Sequence, residues 1–208
     1  TAPIAHQGLL NAAQSNPPLA PLFAFAKTPV WDQAEDSTKD AFAELADFLG
    51  DAVDHVDLPE VFAQGHALQK RLMTVGFAHN LGRFEQRGRE QLSEQMRDAI
   101  DQGREVRAHD YLAAVDWIEV LNAGLDRIFE RYDAILTPSA PGAAPESTTT
   151  GNPAFCTLWT LLGTPAITLP LLNDESGLPL GVQLIGPRGG DARLMRTAAW
   201  LTDAVKTA

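Results

Sequence analysis

The stretch from Tyr132 to Gly186 constrains the fold most tightly, because it strings four local structural statements together with almost no slack. Asp133-Ala-Ile-Leu-Thr-Pro-Ser139 is a short apolar run cut off by Pro138, and it reads as a buried strand. Gly142 to Pro153 is a loop of small residues, and Ala154 to Leu162 is a short apolar helix closed by Gly163. A hairpin follows: Ala166-Ile-Thr-Leu-Pro-Leu-Leu172 and Leu180-Gly-Val-Gln-Leu-Ile185, joined by Asn173-Asp-Glu-Ser-Gly177. A close backbone approach followed by a stiff strand pair is how a chain floors a pocket.

Upstream, Leu22 to Lys27 reads as a strand that stops at Pro29. Asp36 or Ser37 is placed to cap a helix with the apolar face Phe42, Leu45, Ala46 and Leu49, ended by Gly50. Ala52 to Leu58 is a second strand, closing a strand-helix-strand unit. Pro59 opens a long helical region in which Gly65 and Gly76 predict a kink or two shorter helices. Gln91 to Gln102 reads as a one-sided surface helix, and Asp110 to Arg131 as a long one burying Leu112, Val115, Leu121, Leu125, Ile128 and Phe129. After the hairpin, Gly186-Pro-Arg-Gly-Gly190 is a turn, and Asp191 is the expected cap of a last helix. Residues 1–21, punctuated by four prolines, read as an extended connector. The sum is an α/β layer fold, a mixed sheet of about five strands flanked by helices.

The charge sum of 16 basic and 27 acidic residues gives −11, which argues against nucleic acid as a partner. No apolar run reaches the roughly 18 residues of a membrane span, and no basic start with an apolar run marks a signal peptide, so no membrane partner and a cytoplasmic location are expected. The single cysteine, Cys156, excludes an internal disulfide and is expected to be a small buried apolar residue.

No lysine stands three residues after a serine, the spacing that puts both on one helix face, so the residues show no nucleophile with its base. Ser37 reads as a cap and Ser139 as a loop residue facing a crevice at a sheet edge. His55, His66, His79 and His109 lack any ligand spacing, so no metal is expected. His109-Asp110 reads as a helix-start pair, and Asp32, Glu35 and Asp36 as caps and solvated surface. Phe155, Trp159 and Leu162 share one side of their helix, either as core or as the apolar wall of a pocket.

Three blocks, Asp133-Ala-Ile-Leu-Thr-Pro138, Trp159-Thr-Leu-Leu-Gly-Thr-Pro-Ala-Ile-Thr-Leu-Pro170 and Gly177-Leu-Pro-Leu-Gly-Val-Gln-Leu-Ile-Gly186, stand in order at close spacing, followed by Asp191-Ala-Arg-Leu-Met-Arg-Thr-Ala198. Together they resemble the C-terminal part of an amidase signature enzyme, and weaker likeness continues through Phe23 to Trp31 and Val56 to Pro59. The resemblance implies cleavage of carbon–nitrogen bonds in a small-molecule amide by a Ser nucleophile, a bridging Ser and a Lys, with no metal or organic cofactor. The Gly/Ser-rich segment that carries this chemistry in the family has no counterpart here. The chain, which begins at Thr1, is therefore expected to be the C-terminal portion, with no catalytic residue of its own. The resemblance also implies a pocket wall at Thr137, Phe155, Trp159, Gly163, Thr164 and Pro165. Two other readings stand: an amidotransferase subunit working with partner chains, and a binding or scaffold module without catalysis. If strands 22–27, 52–58 and 133–139 belong to a larger sheet, an unpaired edge and an apolar face are expected, favouring homo-oligomers through that edge.

Overall fold

The computed structural model describes residues 8–207. Its sheet holds β1 (Phe23–Lys27), β2 (Val53–Asp57), β3 (Ala134–Pro138), β4 (Ala166–Asn173) and β5 (Pro179–Ile185) in the order β2-β1-β3-β5-β4. β1 runs parallel to both β2 and β3, whereas β5 runs antiparallel to β3 and β4. The mixed sheet expected from the sequence is thus present, with β1 and β2 joined across α2 (Asp36–Leu49) and the hairpin added beside β3.

Alternation along the strands sorts side chains onto two helical layers. Phe23, Phe25, Ala134, Leu136, Val182 and Leu184 meet Phe42 and Leu45 of α2 and Leu194, Ala198 and Leu201 of α7 (Asp191–Lys206). On the other face Ala24, Ala26, Ile135 and Ile185 meet Leu121, Leu125 and Ile128 of α5 (Ala108–Phe129) and Leu158, Trp159 and Leu162 of α6 (Ala154–Leu162). Each fully buried Phe or Leu in these layers contributes about 1.5–3 kcal/mol of apolar transfer.

Several local expectations change. Leu9–Ala13 forms a short helix, α1, inside the expected connector; Thr1 to Gln7 lie outside the described residues. The region after Pro59 is a short 3-10 turn followed by one continuous helix, α3 (Gly65–Gly88), not two pieces. Its continuity comes from packing, because α4 (Glu94–Glu105) lies along it with Gly103 pressed on the Thr74 backbone. Glu35, not Asp36 or Ser37, is the N-cap of α2, and Gly190, not Asp191, is the N-cap of α7; neither helix has a side-chain cap bond. α5 begins at Ala108, so Asp110 sits in its first turn and accepts from Arg107 Nε at 2.9 Å. Leu112 and Val115, expected in the core, are exposed, and Ala114 between them is buried instead.

The open edges fall on one of the three strands expected to carry one and on one strand of the hairpin. β1 and β3 are paired on both sides and covered on both faces, so the edges fall on β2 and β4. β2 carries Asp54, His55 and Asp57, charges and polarity that discourage further pairing. β4 carries no charged residue, and its Ala166, Thr168 and Pro170 are exposed on one face.

Candidate functional site

The loop between β3 and α6 is built almost entirely of small and proline residues, from Ser139 to Pro153. It is held open as a wall by contacts to the segment after β1. Glu35 N–H donates to Pro141 O at 2.8 Å, and Asn152 Nδ2 donates to Gln33 Oε1 at 3.1 Å. Asn152 also accepts from Ala154 N–H at 3.0 Å, starting α6. Gly151 adopts φ +82°, a left-handed turn that residues with a Cβ enter at a cost.

Behind this wall lies a cleft of about 590 Å³ floored by Thr168, Pro170 and Gly181 of the hairpin and bounded by Ser139, Gly142 and Glu35. A side chain at Gly181 would collide with the Ser139 hydroxyl and the Thr168 methyl, so this glycine sets the depth of the floor. The cleft opens at the carboxyl end of β3, where open α/β sheets place ligands. Glu35 is the one ionisable side chain among the described residues lining it.

Both ends of the loop converge on Gln183, a buried side chain in the middle of β5. Its amide nitrogen lies 3.5 Å from Pro138 O, 3.5 Å from Phe155 O and 3.9 Å from Cys156 Sγ. Cys156 is exposed, not buried as expected. Its thiol donates to Ser139 O at 3.3 Å, and partial burial of the sulfur pushes its pKa up.

None of the six residues expected at the pocket wall lines this cleft, and Gly163, Thr164 and Pro165 lie toward the other end of the hairpin, where Ala166 pairs with Ile185. Thr137 is fully buried, cross-strand from Gln183, with no partner for its hydroxyl. Phe155 packs with Val30, Ala34 and Ala154, and Trp159 sits in the α5–α6 core with its indole N–H unpartnered. Gly163 ends α6 at φ +64°, Thr164 N–H reaches back to Trp159 O at 3.4 Å, and Pro165 O accepts from Gly186 N–H at 3.0 Å. Buried Asn122 of α5 donates to Leu162 O at 3.2 Å, fixing this α6 end. Ser139, read from sequence as facing a crevice, does line the cleft. Glu35 reads from sequence as surface; its position just before an amphipathic run looks like capping, and only the return of the loop to β1 reveals its other setting.

Among the described residues no serine hydroxyl is bonded to a lysine or histidine; the serine hydroxyl bonds run to Ala12 O, Asp174 and the Met96 N–H. His66 Nε2 is taken up by Ala154 O at 2.8 Å. The arrangement supplies a shaped, nearly uncharged cleft.

The sequence profile of the Amidase family matches residues 13–195. A glutamyl-tRNA(Gln) amidotransferase subunit from Wolinella succinogenes is 34% identical over 102 residues, covering 46% of this chain and 23% of that protein. The 2-amino-5-chloromuconic acid deaminase of Comamonas testosteroni is 30% identical over 120 residues, covering 52% of this chain and 26% of the deaminase. A crystal structure of an amidase matches with a TM-score of 0.79 at 24% identity, over 91% of this chain and 47% of that chain. The chain thus spans about a quarter of these curated relatives and under half of the solved amidase. With the profile running through nearly its whole length, the chain belongs to the Amidase family, the amidase signature proteins.

Proposed function

We propose that residues 1–208 are the C-terminal portion of an amidase signature hydrolase that cleaves the carbon–nitrogen bond of a small amide. In this reading the chain supplies one wall and the floor of the substrate site. A Ser nucleophile, a bridging Ser and a Lys come from outside it, with backbone N–H groups holding the oxyanion. The observation that carries the reading is the cleft itself. It sits where the sheet is open, beside the uncharged edge of β4, and apart from Glu35 is lined by small neutral residues. The family match and relatives that act on C–N bonds supply the chemistry. Thr137, Phe155, Trp159, Gly163, Thr164 and Pro165 serve the substrate site of the whole protein in this reading by fixing β3, α6 and the start of β4. The core is closed on both faces, so the isolated chain folds; without the external Ser and Lys it lacks hydrolytic activity, and through the uncharged edge strand β4 it associates with copies of itself. A cytoplasmic location belongs to the same proposal; no described helix is long and apolar enough to cross a membrane.

The experiment is an amide hydrolysis assay on this polypeptide with acetamide-like and aryl amide substrates, beside a longer polypeptide carrying the Gly/Ser-rich segment. No turnover by the first and activity in the second, lost when the signature Ser is replaced by Ala, is the expected result. Turnover by the 208-residue chain alone would sink the reading.

A second reading, membership of a multi-chain amidotransferase, is favoured by the 34% identity to the Wolinella succinogenes protein, and the charge of −11 counts against direct nucleic-acid contact. Gel filtration with candidate partner chains separates the two.

A further inference from the structure

Glu35 occupies an unusual place for a helix-cap residue. It is the N-cap of α2, where a carboxylate would ordinarily accept from the first turn, yet it makes no side-chain cap bond. Among the described residues it also forms no ion pair: nearby Lys39 is taken up by Asp36 at 3.4 Å. Its backbone is fixed by the bond to Pro141 O, and its side chain lies over Gly142, where any Cβ would collide with the carboxylate. The glycine leaves the room that the carboxylate fills. The remaining lining is Ser139, Thr150, Asn152 and Thr168 among alanines, glycines and prolines, all neutral.

We propose that Glu35 is a specificity-determining residue of this cleft, selecting amides that carry an ammonium group remote from the scissile bond and disfavouring anionic ones. The inference rests on the reading of the cleft as a substrate site. A single negative charge in an otherwise neutral cavity attracts a cation and repels an anion, and among the described residues no positive side chain is paired with it. Because Glu35 is exposed, the effect is that of a surface pair, about two- to fivefold in affinity per charge. The discrimination shrinks as salt screens it.

The test uses three matched probes, 4-aminobutanamide, butanamide and succinamate, titrated into the 208-residue chain while backbone resonances of residues 139–153 are followed by NMR. The expected result is tightest binding of 4-aminobutanamide, weaker binding of butanamide and weakest binding of succinamate. Glu35→Gln should bring the three affinities together. Equal affinities in the parent chain, a preference that survives in Glu35→Gln, or no shift of cleft resonances with any probe would overturn the proposal. The readout needs no turnover, so the two ideas fail separately. A longer enzyme that hydrolyses amides without regard to charge sinks only the role of Glu35, and a charge preference in a protein that cleaves no amide sinks only the hydrolase.

Discussion

Gly103 of α4 rests on the backbone of Thr74 in α3, so closely that a methyl group there would overlap the Thr74 carbonyl and the next amide nitrogen. The two helices cross where one of them has no side chain, and the pair stands as a hairpin outside the sheet.

Gly103→Ala is therefore expected to destabilise the protein by about 1–3 kcal/mol through overpacking. Gly82→Ala, at a helical position with open space around it, should stabilise by up to about 1 kcal/mol. Urea denaturation of both variants checks the pair. A neutral Gly103→Ala would show that the helices separate readily.

The same hairpin is pinned by charge. Glu85, nearly buried on α3, accepts from Arg104 of α4 and from Arg89, and Arg89 also reaches Asp101 at 2.5 Å. Its bond to Arg104, then that to Arg89, holds the Glu85 carboxyl below its usual pKa against the opposing effect of desolvation. A carboxylate favoured by folding stabilises above its unfolded pKa of about 4.3, and that stability drains away as pH falls through the depressed folded value. Thermal melts across pH 2–7 should show acid loss of stability. Glu85→Gln should melt lower at neutral pH and lose less on acidification, whereas an unchanged acid slope would place the sensitivity elsewhere.

Gln183 holds both ends of the cleft loop through contacts that are individually long, so their value lies in convergence. Gln183→Leu leaves the Pro138 and Phe155 carbonyls without this donor. Faster amide exchange in residues 139–153, by about tenfold for a loss near 1.4 kcal/mol, is the expected result. Alkylation of Cys156, the one thiol in the chain, should accelerate in parallel. Exchange confined to other segments would count against the clamp.

Asp174 organises the β4–β5 turn: its Oδ1 accepts from Ser176 N–H at 2.9 Å, Ser176 Oγ–H at 2.7 Å and Leu178 N–H at 2.8 Å. The Ser176 hydroxyl bond is the main reason its carboxyl lies below the usual range. Asp174→Ala should cost about 1 kcal/mol, while Asp174→Asn retains most of the stability. Chemical denaturation of the two variants tests this, and equal losses would mean that charge matters more than the turn geometry.

Where one short-range rule governed a segment, its sequence was enough. Pro138 ended β3, Gly163 ended α6, and Asn173 to Gly177 marked the turn between β4 and β5. Tertiary contacts decided the rest. Two glycines predicted a broken α3, but α4 packed along it supports one helix. Leu112 and Val115 matched the apolar stripe of α5, yet are exposed, while Ala114 between them is buried. The small residues from Gly142 to Pro153 announced a loop, and Ser139 a crevice, but the distant Glu35 shows no local sign of facing them.

β1 and β3 lie side by side although Leu22 and Asp133, which clasp them together, are 111 positions apart. Leu22 N–H donates to Asp133 Oδ2 at 2.9 Å, and Asp133 N–H donates to Leu22 O at 2.8 Å. From Asp133 onward, β3, α6, the hairpin and α7 find their neighbours nearby in the chain. Closing the long span carries the larger entropic cost, so docking of the β1–α2–β2 unit onto a preassembled C-terminal half becomes the slow step of refolding. Weakening the Leu22–Asp133 clasp should then lengthen refolding times in stopped-flow measurements more than it hastens unfolding.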